Sequence, residues 1–288
     1  MLGDFTNNII LPVPKGVERP LWSVMMPTYN PKDYIFEALE SVLKQYPDDG
    51  SMQLEIIDDC STKVDIPKII EKIGDKRISY YRNPKNVGHS FNFTEAVRKS
   101  RGHLVHILHD DDLVKPGFYE NFARIFEEYK DIGAAYCRQE YIDDDGKTMF
   151  FSEPDLEKTG ILENALIKLA EKQRVQYCSM VVRRSTYEKV GGYVKKNIGC
   201  EDWEMWVRIA SQFDIGYEPE ALAKYRIHTT SMTLNDMRTG QDMRFLREAA
   251  DIFTKYLPED TQEEVSRKRN THYGNYSFEN AKKLFKQY

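Results

Sequence analysis

The first hundred residues alternate short apolar runs with segments in which apolar residues recur every three or four positions. The short runs are rich in β-branched and aromatic side chains and predict strands at Trp22–Met26, Leu54–Asp58, Ile78–Arg82 and Leu104–Leu108. The intervening segments predict helices near Tyr34–Gln45, Pro67–Ile73 and Phe91–Lys99. Because strands that alternate with helices form a mostly parallel sheet flanked by helices, we expect an α/β architecture of the kind that binds nucleotides.

The rest of the chain continues with mixed elements and ends in helices. Pro116 suits the first turn of a helix, and Ala134–Tyr141 is rich in β-forming residues. The Asp-Gly pair in Asp143–Gly146 predicts a hairpin turn, whereas a calcium loop would need later ligands that the sequence lacks. Amphipathic helices are predicted near Gln241–Tyr256 and Gln262–Tyr288, which we expect to form a C-terminal helical appendage.

Composition and charge indicate one principal folded domain that binds small molecules. Hydrophobic residues make up 41% and charged residues 30% of the 288 positions, as in globular proteins. The formal net charge is -5, so the sequence carries no overall basic character for nucleic acid, and we expect no nucleic-acid partner. Any nucleotide bound by this chain is therefore expected to be a small molecule.

The cysteines and the N-terminal residues indicate a cytoplasmic protein. The four cysteines are widely spaced and form no CxxC pair, which argues against a zinc site or a redox couple. The first twenty residues lack the basic and apolar regions of a signal peptide. No apolar run approaches the ~18 residues that span a bilayer.

Three polar clusters follow predicted strands. They are Pro27–Asn30 after the first strand, Asp58–Asp59 after the second and His109–Asp112 after the fourth. In open α/β sheets, ligands bind at the carboxyl ends of the strands. We therefore expect all three clusters to lie along one rim of the sheet.

The cluster His109–Asp112 contains three adjacent carboxylates at a strand end. These charges repel one another unless a cation or basic groups neutralise them. Hard oxygen ligands favour magnesium or manganese, which also bind substrate phosphates. The alternative is a solvated acidic turn that caps the helix after Pro116.

Glu201 and Asp202 precede a helical pattern that runs to about Gln212. Acidic residues are favourable at a helix N-terminus for electrostatic reasons alone, so a capping role is one interpretation. The other is catalytic, because a carboxylate within hydrogen-bond reach could take a proton from an acceptor hydroxyl. Trp203 and Trp206 could line a sugar site, although core packing is the default for both.

Arg226 and His228 lie in a polar segment that follows a predicted strand. A neutral imidazole could complete a manganese shell begun by the aspartates, and Arg226 could neutralise phosphate. A lone histidine is otherwise structural or simply exposed.

Several of these strings occur together in the order used by a known family. They are Ser23–Asn30, Leu54–Thr62, Asn83–Gly88, Asp110–Asp112 with Pro116, Gly191–Tyr193 and Glu201–Asp202. In this order the sequence resembles glycosyltransferase family 2 over roughly residues 20–230. Ordered motifs are far more specific together than any one alone.

The resemblance implies a GT-A fold and inverting transfer from a nucleotide diphosphate sugar, most commonly a UDP-sugar. The positions expected to bind the nucleotide are Pro27, Thr28, Tyr29, Asn30, Asp59, Asn86 and Asp110. The residues expected to hold a divalent metal, Mn²⁺ or Mg²⁺, are Asp110, Asp111, Asp112 and His228, with Asp111 coordinating directly. By the same resemblance Asp202 would be the catalytic base, with Glu201 beside it in the acceptor site.

Two positions depart from the family pattern. Many relatives have an aspartate where this chain has His109, which leaves the exact set of metal ligands open. Cys60 stands where glycine or asparagine is usual, which could change the geometry of the turn.

The expected organisation has three regions. They are an extended leader (1–20), a catalytic domain (21–232, with a nucleotide-binding half at 21–115 and an acceptor-binding half at 116–232) and a helical region (233–288). Basic clusters in the last region could contact the inner face of a membrane, a lipid-linked acceptor or a second copy of the chain. Alternatively, these helices pack on the catalytic domain with their charges facing water.

The acceptor is expected to be a glycan, a lipid-linked molecule or a protein, in the synthesis of surface polysaccharide or glycoconjugates. Two other function classes remain open. A nucleotidyltransferase usually needs a glycine-rich phosphate loop after its first strand, and residues 27–31 contain no glycine. The second is an inactive member that binds nucleotide sugar or glycan as a regulatory module; every expected carboxylate is present, which argues against degeneration, but only a turnover measurement excludes this class.

Overall fold

A ten-stranded mixed sheet forms the centre of the protein. The computed structural model describes residues 8–47, 49–194, 199–228 and 232–285. The strands are β1 (Trp22–Thr28), β2 (Met52–Asp58), β3 (Ile78–Arg82), β4 (Leu104–Ile107), β5 (Leu113–Val114), β6 (Ala134–Ile142), β7 (Thr148–Phe151), β8 (Gly160–Ile161), β9 (Met180–Arg183) and β10 (Ile215–Arg226). The helices are α1 (Tyr34–Leu43), α2 (Ile66–Ile73), α3 (His89–Lys99), α4 (Phe118–Glu128), α5 (Ala165–Glu171), α6 (Arg184–Val190), α7 (Glu201–Ala210), α8 (Met232–Thr239), α9 (Gln241–Phe253) and α10 (Glu259–Phe285).

The strands lie in the order β3-β2-β1-β4-β9-β6-β10-β5, with β7 paired to β6 and β8 paired to β10. The first four strands are parallel to one another, and β6 is parallel to β10. Between these two groups β9 runs antiparallel to both of its neighbours. The predicted mostly parallel α/β sheet is thus confirmed, with β9 reversed in its middle and the short strands β5, β7 and β8 also antiparallel to their partners.

Alternate residues of each central strand face two separate cores. In β1, Val24 and Met26 belong to the core that also contains buried residues of α1 and α4, whereas Met25 belongs to the core that contains buried residues of α3 and α7. This alternation follows from the two-residue period of a strand. Because both faces are covered, the strands are nearly continuous apolar runs, as the sequence pattern indicated.

Two segments flank this sheet and pack against it. In the N-terminal segment the backbone oxygen of Asn8 accepts a hydrogen bond from Gly192 N at 2.7 Å, and Ile10 is buried. In the C-terminal region Phe253 of α9 packs edge-on against Trp203, and Lys268 of α10 pairs with a glutamate of α5 at 2.9 Å. The arrangement agrees with the interpretation that the C-terminal helices pack on the catalytic domain.

The turn between β6 and β7 is the predicted hairpin. The two strands are antiparallel, and Gly146 adopts the positive φ of 78° that the turn requires. The Asp143 side chain accepts hydrogen bonds from the backbone nitrogens of Asp145 and Lys147, so it stabilises the turn itself.

Among the helices that the structure describes, none is both long enough and apolar enough to cross a membrane.

Candidate active site

The three polar clusters predicted at strand ends lie side by side on one rim of the sheet. Strands β1 and β2 end together, with Thr28 opposite Asp58, and Asp59 N donates to Thr28 O at 2.8 Å. On the other side of β1, Leu108 N donates to Met25 O at 3.0 Å, which brings the acidic turn after β4 to the same edge. Parallel pairing of the three strands therefore assembles the site.

The loop after β1 is held in shape by Asn30. This residue has a positive φ of 52°, and its side-chain oxygen accepts hydrogen bonds from the backbone nitrogens of Thr62 and Lys63 at 2.9 and 2.8 Å. Asn30 thereby ties the first loop to the second. Between them Tyr29 leaves half of its surface exposed at the rim, while Pro27 and Thr28 are buried.

Asp59 organises the loop that leads into α3. Its carboxylate accepts hydrogen bonds from the Asn83 amide and from the backbone nitrogens of Val87 and Gly88, at 2.8 to 3.0 Å. The Asn86 amide donates to the Asp59 backbone oxygen at 3.2 Å. Both oxygens of the Asp59 carboxylate thus accept hydrogen bonds within the protein, and these bonds hold the 83–88 loop in its conformation.

Cys60 adopts the left-handed conformation that the usual glycine or asparagine would adopt. Its φ is 62°. Asp58, two residues earlier, is fully buried, accepts from Ser61 N at 2.8 Å and pairs with Arg82 at 2.7 Å. These contacts hold the turn in place despite the unfavourable residue, so the geometry is maintained at the cost of backbone strain.

Asp110 points toward β1. The Thr28 hydroxyl donates a hydrogen bond to Asp110 Oδ2. Burial and the neighbouring charge of Asp111 raise the pKa of Asp110 to about 7, although the hydrogen bond from Thr28 opposes this shift. Asp110 is thereby held against Thr28 of the predicted nucleotide-binding loop.

His109, Asp111 and Asp112 converge on one point. Each offers a ligand atom, and the three atoms lie within 4.8 Å of one another. Two buried atoms of this trio, His109 Nε2 and Asp112 Oδ2, receive no hydrogen bond from a nitrogen or oxygen donor in the described residues. Burial lowers the pKa of His109, so the ring is neutral and free to coordinate. The donor set fits a divalent cation.

The trio differs from the predicted set of metal ligands. Asp111 and Asp112 belong to both sets, whereas Asp110 lies outside the trio and His109 replaces it. His228 is not a member of the trio, but its Nε2 contacts Asp111 Oδ2 at 3.1 Å, so it lies beside a ligand and its predicted role at the metal stays a prediction. The sequence signalled His109 only as a departure from the family pattern.

Arg226, which the sequence suggested as a group that neutralises phosphate, is engaged within the protein. Its buried guanidinium donates to the backbone oxygens of Asp111, Asp143 and Asp144, at 2.9 to 3.2 Å. It also pairs with Glu37 of α1 at 2.8 Å. All three guanidinium nitrogens are therefore engaged in joining the acidic turn to the β6–β7 hairpin and α1.

Asp202 is a buried carboxylate at the first turn of α7. Its side chain accepts hydrogen bonds from the Gln173 amide at 2.6 Å and from Trp203 N at 2.7 Å. Burial raises the pKa of Asp202 to about 7, despite these hydrogen bonds. Such a carboxylate exchanges a proton readily near neutral pH.

Glu201 has the opposite electrostatic character. Its Oε1 contacts His89 Nε2 at 2.7 Å and accepts from the Ser90 hydroxyl at 2.5 Å. Burial alone would raise the pKa of Glu201, but the hydrogen bonds and charge from His89 outweigh it and hold that pKa below its ordinary value. Glu201 therefore stays ionised while its neighbour can be neutral.

A stack of rings connects the Glu201 contact to the acidic turn. Phe93 lies between His89 and His109, with centroid distances of 6.1 and 5.3 Å and nearly parallel rings. Tyr177 also contacts His109, at 4.6 Å, and its other side meets Trp206. One aromatic cluster thus connects the acidic turn (residues 109–112) to α7.

Comparison of the sequence with models of known protein families decides the family. A family model described as Glycosyl transferase family 2 matches residues 23–191, which is more than half of the chain. The chain belongs to glycosyltransferase family 2.

Relatives of this family 2 glycosyltransferase include proteins of an archaeon and of bacteria. An uncharacterized glycosyltransferase of Methanocaldococcus jannaschii is 29% identical over 215 residues, which cover 73% of this chain and 72% of the relative. An uncharacterized glycosyltransferase of Rickettsia typhi is 25% identical and covers 76% of this chain and 68% of its own length.

Solved structures show the GT-A fold that the resemblance implied. S. aureus TarS 1–349 in complex with UDP-GlcNAc has a TM-score of 0.66 and 16% identity, covering 85% of this chain and 70% of that one. The mannosyltransferase PcManGT of Pyrobaculum calidifontis, in complex with GDP-Man and Mn²⁺, has a TM-score of 0.65 and 18% identity, covering 96% and 77%.

Within this family 2 glycosyltransferase, both tryptophans of α7 belong to the core. Trp203 donates to Leu169 O at 2.6 Å and Trp206 to Val175 O at 3.3 Å, and both rings are buried. Sequence reasoning missed His89, Ser90 and Gln173, which position the two acids. Their positions depend on tertiary packing, and no local motif marked them.

Proposed function

We propose that this family 2 glycosyltransferase transfers a hexosyl or N-acetylhexosaminyl group from a UDP-sugar to a hydroxyl of an acceptor, with inversion at the anomeric carbon. The acceptor would be a glycan, a lipid-linked molecule or a protein used in polysaccharide or glycoconjugate synthesis. The observation that carries the proposal is Asp202, a buried carboxylate with a pKa of about 7. It lies at the start of α7, and the aromatic cluster of Phe93, Tyr177 and Trp206 connects that helix to residues 109–112, whose side chains could hold a metal ion.

The rim provides the donor site. The loop 27–30 offers the exposed ring of Tyr29 for the nucleoside, and Asn30 and Asp59 hold the loops around it. Asp110 and Asn86 complete the side of the site nearest the diphosphate in this proposal. Support comes from two neighbours of the same fold, whose complexes contain UDP-GlcNAc and GDP-Man with Mn²⁺.

Residues 109–112 would hold a divalent cation, with Asp111 as a direct ligand. When bound, such a cation offsets the negative charge that develops on the departing diphosphate. Two interactions hold Asp111 in position for this role. His228 Nε2 contacts Asp111 Oδ2 at 3.1 Å, and the Arg226 guanidinium donates to the Asp111 backbone oxygen at 2.9 Å.

Asp202 would remove the proton from the acceptor hydroxyl as that oxygen attacks the anomeric carbon. A base with a pKa near the working pH combines a large ionised fraction with useful basicity. Attack from the face opposite the nucleotide gives inversion. Glu201, held ionised by His89 and Ser90, would orient the acceptor beside it.

The test begins with calorimetric titration of UDP and, separately, GDP into the purified protein, with Mn²⁺, Mg²⁺ or chelator. The Asp111→Asn variant removes the expected ligand, and Asp214→Asn is the matched control because Asp214 is exposed just before β10, at the opposite edge of the sheet. We expect metal-dependent UDP binding in the wild type and the control, and its loss in Asp111→Asn. Preferential GDP binding would replace the donor assignment, and absence of nucleotide binding would refute it.

Turnover is the second stage of the same test. UDP release from a panel of UDP-sugars, followed by proton NMR of the anomeric coupling in the product, reports transfer and stereochemistry. Nucleotide binding without release, from every donor and acceptor class, would favour a binding module over an enzyme. A product that retains the anomeric configuration would exclude the single displacement proposed here.

A further inference from the structure

His109 occupies an environment that packing alone does not explain. Its ring stacks on Phe93 at 5.3 Å and contacts Tyr177 at 4.6 Å, so an apolar side chain would suit the position. Instead the ring brings a polar atom, Nε2, which is buried without a hydrogen-bond partner in the described part of the chain. A buried polar atom without a partner destabilises the fold, so its presence calls for a ligand.

Asp112 supplies a second, independent indication. The residue is fully buried, and its Oδ1 accepts from Arg226 N at 2.9 Å. No nitrogen or oxygen donor of the described residues reaches its other oxygen, and only the weakly donating Cys178 thiol lies beside the carboxylate. Asp112 Oδ2 therefore has no stronger donor than a thiol, and His109 Nε2 has no partner among the described residues, so a cation held between the two side chains would satisfy both.

The third member, Asp111, is oriented from outside the trio. His228 Nε2 contacts Asp111 Oδ2 at 3.1 Å, and the ring of His228 in turn packs at 5.4 Å on Tyr34. A histidine that holds a carboxylate ligand in this way acts on the cation through that ligand. The two histidines therefore occupy different places, one within the ligand trio and one behind it.

We infer that His109 is a direct nitrogen ligand of the cation, with Asp111 and Asp112 as oxygen ligands, and that this mixed set selects manganese over magnesium. The inference deepens the proposed function, because the cation is the one that would serve the donor diphosphate. Magnesium prefers an octahedral shell of oxygen ligands, whereas imidazole suits transition metals. Replacement of the usual aspartate by His109 thus changes which cation the site holds.

The experiment measures the cation directly and needs no turnover. Pulsed electron paramagnetic resonance of Mn²⁺ bound to the protein in the presence of UDP detects a coordinated ¹⁴N nucleus as electron spin-echo envelope modulation. We expect this modulation in the wild type, its loss in His109→Asp, and its retention in His228→Asn. His103→Asn is the matched control, since His103 is exposed at the opposite end of the same strand.

Competition between the two cations gives the second readout. Mg²⁺ is titrated into each protein loaded with Mn²⁺, and the resonance signal of bound Mn²⁺ is monitored. The titration gives the ratio of the affinities of the wild type and of each variant for the two cations. We expect His109→Asp to lower the preference for Mn²⁺ on the order of 10-fold or more, because even loss of a group that supports a ligand costs about that much affinity. The variant keeps a ligand at this position, so it tests the kind of donor atom.

Three outcomes would overturn the inference. They are a wild-type Mn²⁺ signal without nitrogen modulation, modulation that disappears in His228→Asn, and an unchanged cation preference in His109→Asp. The wild type and His228→Asn decide the first two even if His109→Asp fails to fold. If the wild type bound neither UDP nor Mn²⁺, the proposed function itself would be refuted. Failure of the proposed function and failure of the inference about His109 are therefore distinguishable.

Discussion

The hydrogen bond from Gln173 to Asp202 should set the pH at which the enzyme works. The Gln173 amide donates to Asp202 Oδ2 at 2.6 Å, which favours the ionised carboxylate and opposes the effect of burial on its pKa. Replacement by methionine keeps the length of the side chain and removes the donor. The pKa of Asp202 should therefore rise from its present value of about 7.

The size of this change follows from the strength of the bond. A hydrogen bond to a charged group contributes about 1.5–3 kcal/mol, and one pKa unit corresponds to about 1.36 kcal/mol. Gln173→Met should thus raise the pKa of Asp202 by about 1–2 units. A base is active when it is deprotonated, so the acidic limb of the rate profile should move to higher pH by the same amount.

The assay is the pH dependence of UDP release at saturating donor and acceptor. Gln212→Met is the matched control, because Gln212 is exposed beyond the other end of α7. Tyr273→Phe extends the test, since the Tyr273 hydroxyl accepts from Gln173 N at 2.9 Å, and a smaller shift in the same direction is expected. An unmoved limb in Gln173→Met, or a shift to lower pH, would refute the reasoning.

Three further predictions concern activity and stability. Asp202→Asn should abolish sugar transfer while calorimetry shows nearly unchanged UDP binding; transfer at the wild-type rate would require another base. Cys60→Gly should raise the free energy of unfolding by about 1 kcal/mol in urea, because the left-handed conformation at φ 62° costs a side chain about that much; destabilisation would contradict this account. Phe253→Ala should cost about 3–5 kcal/mol, since the ring is fully buried against Trp203, whereas Phe278→Ala, at a residue 61% exposed, should change stability by less than about 0.5 kcal/mol. Equal effects of these two substitutions would mean that the C-terminal helices do not share the core.

The sheet could be predicted from the sequence because its strands are regular. The strands β1 to β4 lie at the positions that the alternating pattern predicted, to within two residues at either end. The reversed strand β9 could not be predicted, because its four residues follow a short turn and carry no turn signal that fixes a direction. Only pairing with β4 and β6 determines how β9 runs.

The site was predictable where it depends on strand ends. Thr28, Asp59 and the acidic turn meet because parallel strands end at one edge, which the order of motifs already indicated. The contact between His89 and Glu201 joins residues 112 positions apart, and that between Gln173 and Asp202 joins different elements. Such pairs follow from packing of helices on the sheet, which local pattern does not specify.

The binding mode of Arg226 bears on how this sequence can diverge. Its guanidinium contacts the hairpin turn through the backbone oxygens of Asp143 and Asp144. Backbone oxygens are the same whatever side chain follows, so the turn can accept substitutions as long as its conformation persists. The arginine has no such freedom, because lysine lacks the planar set of donors that reaches several oxygens at once. Among natural variants we therefore expect the sequence of the β6–β7 turn to vary while Arg226 is retained. A chimera that replaces β10 must keep an arginine at this position.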